Sequence, residues 1–226
     1  MELNEATSKK TLLQKLIQFF TKPSELFRDY IEKPTWALKF LIITLVTAGF
    51  TYATKILGKD LLVELMEEKA AAMPPEQAEA TRASIAFLNS PTMNIISAAV
   101  AAVSMIAIIL LVSLVYMAFI RALKGKIRYS QAVSIYTLAY MASTIGLVVK
   151  LAFMYFTGNL LYINMSPTFM DALYNNFDPF LIWQAILMVL GISAVSGIPE
   201  KKSTIIVVSM WLVTLAISLG SVMMTK

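Results

Sequence analysis

The chain has 226 residues, of which 58% are hydrophobic and only 15% charged, and its formal net charge is +5. Soluble domains carry roughly a quarter charged residues, so this excess of apolar surface requires lipid. With no cysteine and no histidine, the chain has no disulfides, no thiolate or imidazole metal sites, no Cys or His nucleophiles and no histidine proton shuttle.

Residues 1–10 are polar and no signal-peptide pattern opens the sequence, so the first true span is expected to act as its own insertion signal. Leu12, Leu13, Leu16, Ile17 and Phe20 then recur at helical spacing, opposite Lys9, Lys10, Gln14, Lys15 and Gln18. This pattern predicts an interfacial amphipathic helix lying on the cytoplasmic leaflet. A second short helix is expected from Ser24, read as its cap, until Pro34 interrupts it. Residues 1–35 therefore form a cytoplasmic N-terminal segment, and residues 36–224 a membrane domain.

A crossing helix needs about 20 apolar residues at roughly 1.5 Å each. Five segments qualify, at about 36–55, 92–120, 131–156, 179–197 and 204–222. The first has a short uncharged core and needs Lys39 and Lys55 to snorkel toward opposite interfaces. The second, uncharged from Pro91 to Ile120, is about 45 Å long as a helix, so it must tilt or project beyond the hydrocarbon. The last two are separated by a short turn, Ile198 to Ser203.

Between the first two spans, at about 56–90, Leu57, Leu61, Leu65 and Met66 share one face and Glu64, Glu67, Glu68 and Lys69 another, until Pro74-Pro75 breaks the helix. This predicts an outer helical hairpin, which either covers the end of the bundle or binds a partner. The expected fold is all-α: a polytopic membrane protein with a five-helix transmembrane bundle, an N-terminal interfacial amphipathic helix and an outer hairpin.

Lys and Arg set the orientation. Lys9, Lys10, Lys15, Lys22, Arg28, Lys33 and Lys39 precede or open the first span, Arg121, Lys124, Lys126 and Arg128 follow the second, and Lys201-Lys202 follow the fourth. All fall on one side, expected to be cytoplasmic. The loop from Thr157 to Phe177 carries only Asp171 and falls on the other. The N-terminus is expected in the cytoplasm and the C-terminus outside a cell (inner) membrane. Cations that flank spans do not form a basic face for nucleic acid.

No Walker, Rossmann or zincin pattern is present, and the fourteen methionines form no regular Met-x-x-Met array. Neither a metal nor a cofactor is expected. Lys150 lies inside an uncharged run, near the expected outer interface, and Asp178 at the entrance of the fourth span shares its depth. The two are read either as interfacial residues that fix helix depth or as part of an ion, proton or headgroup site with Asn159. Gly146 and Gly191 are possible helix kinks. Small residues recur at four-residue spacing, as in Ala98 and Ala102, Ser193 and Gly197, and Ala216 and Gly220, for packing within the chain or for a homo-oligomer.

The run Asn176-Phe177-Asp178-Pro179-Phe180-Leu181-Ile182-Trp183 opens the fourth span, and Gly191 through Gly197 leads to the Lys-Lys turn and a final span with Trp211. This resembles the Yip family of Ypt/Rab-interacting membrane proteins, especially its bacterial members, and residues 23–34 resemble the family's pre-span segment. Asp178 suits a helix cap, Pro179 a first turn and Trp183 an interfacial anchor. The resemblance implies a non-enzymatic protein that acts through partners. It points to an adaptor or assembly factor for another membrane complex, such as an ABC-type exporter, with its basic N-terminal segment on anionic lipids. The competing expectation is a small transporter, channel or lipid-translocating protein.

Overall fold

The computed structural model describes residues 11–158 and 168–224, and every regular element among them is helical. Lys9, Lys10 and Asn159 lie outside the described residues. Chain order gives α1 (Leu12–Thr21), α2 (Pro23–Glu32), α3 (Ala37–Leu57), α4 (Lys59–Ala71), α5 (Pro75–Leu88), α6 (Pro91–Ala122), α7 (Tyr129–Thr157), α8 (Phe169–Asn176), α9 (Pro179–Ser196) and α10 (Glu200–Met224). Five of these, α3, α6, α7, α9 and α10, are long and apolar enough to cross a membrane. The all-α, five-span architecture is the one expected.

Local chemistry explains most boundaries. Thr11 caps α1 through a reciprocal pair with Gln14: the Thr11 hydroxyl accepts from Gln14 N at 3.3 Å, and Gln14 Oε1 accepts from Thr11 N at 2.8 Å. Ser24 is not a cap. Pro23 occupies the first turn of α2, where a missing N–H costs nothing, and the cap position falls on Lys22. Ser90 caps α6 ahead of Pro91.

The turn before α10 is shorter than expected. Pro199 O accepts from Lys202 N at 2.9 Å, so Lys201 and Lys202 already belong to the last helix. The loop after α7 also differs from expectation, because it contains α8, which starts with a reciprocal cap between Thr168 and Asp171. Asp171, read in the sequence as the loop's lone anion, is a capping group.

The hairpin is formed by α4 and α5, turned at Pro74-Pro75 and bridged by Glu67 and Arg82 at 3.7 Å. Leu61, Leu65 and Met66 are half-buried while Glu64, Glu67, Glu68 and Lys69 are exposed; Leu57, expected on the same apolar face, instead ends α3 and is exposed.

The core centres on α7, which packs against α3, α6, α9 and α2. Residues Gln131 to Ala139 are buried without interruption, so this half of α7 is enclosed on all sides. α6 contributes a single seam, Met105, Ile109, Ser113, Tyr116 and Ile120, the four-and-three spacing of one helix face. Ala98 and Ala102 are half-buried on the extension of that seam, which places them in packing within the chain. The rest of α6, with Val100, Val103 and Leu111 exposed, is surface for lipid.

Candidate functional site: the entrance of α9

The Asn176 to Trp183 run is where most of the bundle converges. Asp178 is the N-cap of α9: its Oδ1 accepts from Phe180 N at 2.7 Å, and its Oδ2 accepts from the Lys150 ammonium of α7. Its side chain is 9% exposed and that of Lys150 22%. The two residues proposed from their similar depth are therefore an ion pair, and one carboxylate both starts α9 and neutralises the cation of α7. In a low-dielectric setting such a pair stands only if its remaining hydrogen bonds are also satisfied, and the cap supplies one of them.

Each neighbour in the run has a separate partner. Asn176 O accepts from Trp211 Nε1 of α10 at 3.1 Å, and the Phe177 ring meets the Trp211 ring edge-on at 4.9 Å. Pro179 opens the first turn of α9. Phe180 lies on Gly146, where a Cβ would come within 2.7 Å of its ring. Trp183 meets Phe19 and Phe20 of α1, both at 5.1 Å between ring centres.

Further along α9, Gly191 receives Phe27 of α2 and Ile135 of α7, with an added Cβ only 2.8 Å and 2.7 Å from their side chains. Gly146 and Gly191 are thus notches filled by aromatic rings, and both helices run through them unbroken. Gly197 closes α9 in the left-handed region, at φ +74°, the conformation that a glycine adopts at least cost.

Gln184 and Ser143 were not singled out in the sequence. The Ser143 hydroxyl donates to Gln184 Oε1 between α7 and α9. An amide in the middle of an apolar span was the available signal, because a polar group at that depth needs a partner on another helix.

The N-terminal segment docks on the bundle. Phe27 is fully buried, and Tyr30 nearly so. The carbonyl of Ile31 accepts from Gln131 Nε2 at 2.9 Å and from Arg128 Nη2 at 3.0 Å, so α7 holds the C-terminal end of α2. Burial raises the pKa of the Tyr30 hydroxyl above the ordinary phenol range. The α1 stripe of Leu13, Leu16, Ile17 and Phe20 is exposed, and Phe19 is buried. Of the expected lipid contacts on this segment, Lys15 and Lys22 are exposed, Lys22 lying 3.6 Å from Glu25.

These features define an all-helical, polytopic membrane protein whose fourth span carries the principal junctions. The family model of the Yip1 domain matches residues 17–222, and the chain belongs to the Yip family of membrane proteins. No curated protein and no solved structure matches the chain.

Proposed function

We propose that this Yip-family protein is non-enzymatic and serves in a cell (inner) membrane as an adaptor or assembly factor for another membrane complex. Its N-terminus is cytoplasmic and its C-terminus outside in this reading. The observation that carries it is the state of α1: Phe19 and Phe20 meet Trp183 while Leu13, Leu16 and Ile17 stay uncovered beside Lys15 and Lys22. An anchored helix with a free apolar face and a cationic border suits both an anionic leaflet and a protein partner. The likeness to bacterial-type members extends the reading to a partner of the ABC-exporter class, and a homo-oligomer is compatible with it.

The test is affinity purification from native membranes in mild detergent, with mass spectrometry of bound proteins and lipids. The double substitution Leu16→Glu and Ile17→Glu leaves Phe19 in place and is expected to release a stoichiometric protein partner. An unchanged set of bound proteins sinks the adaptor reading.

A transport reading draws on the polar contacts shared by α7 and α9, namely Lys150 with Asp178 and Ser143 with Gln184. It requires a hydrated path between these helices. Solute flux into proteoliposomes that disappears in Asp178→Asn would favour it over the adaptor.

A further inference from the structure

The junction of α6 and α7, with Arg121 in the last turn of α6 and Lys124, Lys126 and Arg128 in the loop, is a topology signal in the sequence, but in the structure it is a built surface. Gly125 N donates to Ile120 O at 2.9 Å, Lys126 N to Ser196 O at 3.1 Å, and Arg121 Nη2 to Ile127 O at 3.0 Å. Tyr129 Oη reaches back to Leu110 O on α6 at 3.0 Å. Gly125 makes this closure possible, since a Cβ there would come within 2.6 Å of the Ile120 side chain and 2.9 Å of that of Ile198.

A groove of about 560 Å³ opens against this loop, with Gly125, Val195 of α9 and Ile31 of α2 in its walls. Arg121, Lys126 and Arg128 all line it, and no acidic residue among the described residues does. A separate, smaller depression that also touches Ile31 is lined by Arg28, Asp29 and Glu32, so its charge is mixed where that of the groove is cationic.

We infer that this groove binds a phosphate-bearing anion at the membrane surface, gripped by Arg121, Lys126 and Arg128. Each guanidinium carries five N–H donors in a planar fork. Arg121 spends its Nε and one Nη2 hydrogen on a single carbonyl, and Arg128 one Nη2 hydrogen on Ile31 O. The donors left over match the oxygens of a phosphate, for which Arg forks are suited. The internal hydrogen bonds hold both side chains in place before the ligand arrives, which lowers the ordering cost of binding.

Position adds a second argument. The loop caps the ends of α6 and α7, both long enough to cross a membrane, so the groove opens at headgroup level. Ile31 and Val195 give the acyl side of a lipid an apolar edge. The phosphate is that of an anionic lipid headgroup or of a free phosphate compound, and the site does not depend on the adaptor reading.

The test uses the full chain in phosphatidylcholine nanodiscs, titrated with fluorescent short-chain phosphatidylglycerol, with inorganic phosphate as competitor. The Lys126 side chain is exposed, so Lys126→Gln leaves the loop intact and is expected to weaken binding about tenfold, the effect of one charge-assisted hydrogen bond. Arg121→Gln is expected to weaken it at least as much, with thermal unfolding run in parallel to separate loss of binding from loss of fold. The double substitution Lys201→Gln and Lys202→Gln removes two exposed cations of α10 outside the groove and is expected to leave binding unchanged.

Displacement of the lipid by inorganic phosphate would identify a free-phosphate site, and failure of displacement a lipid-headgroup site. Either result, with the Lys126 effect, supports the inference. Wild-type binding by Lys126→Gln, or equal weakening by the Lys201/Lys202 variant, overturns it in favour of diffuse surface charge.

Discussion

α6 and α7 have similar lengths, 32 and 29 residues, and both are apolar enough to cross a membrane, yet they do opposite things. α6 buries one seam and gives most of its surface to lipid, while α7 is enclosed over its first half and ion-paired near its other end. The difference is visible in side-chain chemistry. α7 carries Gln131, Ser134, Thr137, Ser143, Thr144 and Lys150, whereas α6 carries Ser113 as its buried polar residue. In lipid, apolar side chains gain little by turning inward, so polar groups that need partners decide which helix becomes the core.

The contrast breaks most severely at the ion pair. Asp178→Ala removes both the cap of α9 and the ion pair with Lys150, and is expected to cost about 3 kcal/mol, since removing one side of a largely buried pair costs more than the pair gains. Thermal unfolding of the purified chain in detergent measures it. Lys150→Met combined with Asp178→Ala, which removes the cation as well as the cap, is expected to recover part of that loss. Equal destabilisation in the single and double variants would show that the ion pair contributes nothing beyond the cap.

A smaller effect is expected where α2 meets α9. Gly191→Val forces a side chain into space held by Phe27 and Ile135, at a cost of about 1–3 kcal/mol, read as faster proteolysis of the N-terminal segment. Gly220→Ala, with nothing near the added methyl, is the control and should behave as wild type. The same joint is expected to open in alkali. A buried tyrosine whose pKa is raised stabilises docking below the ordinary phenol value near 10, and loses that contribution as pH rises through its higher folded value. Proteolysis of the segment is therefore expected to accelerate above about pH 10, and Tyr30→Phe should remove the pH dependence.

Weaker still is Ser143→Val, which leaves Gln184 without its Ser143 partner and should cost about 0.6–1.7 kcal/mol, as interhelical hydrogen bonds in membranes do. At the bottom of the scale, Leu111→Ala on the lipid face of α6 is expected to change stability by less than about 0.5 kcal/mol. Destabilisation by Leu111→Ala as large as that by Ser143→Val would remove the distinction between the two helices.

Particular residues show how much could be read in advance. The hairpin followed from Pro74-Pro75 and the facing of Leu61 and Leu65 against Glu64 and Glu68. The depth match of Lys150 and Asp178 followed from counting along α7, although their contact did not. α8 was missed because an eight-residue helix has little periodicity, and its cap pairs Thr168 with an Asp where the usual pattern has Glu or Gln. The docking of Phe19, Phe20 and Phe27 was also missed. An amphipathic segment presents the same pattern to a leaflet as to another helix.

Length, hydropathy and helical spacing by themselves determined the class of the protein, its five spans and its hairpin, because crossing a bilayer is a condition on each segment alone. Only the tertiary structure decided that α7 is the core, that Gly146 and Gly191 are notches for Phe180 and Phe27, and that three cations at the α6–α7 junction line a groove. Those outcomes depend on which helix faces which, and facing is set by close contacts between residues far apart in the chain.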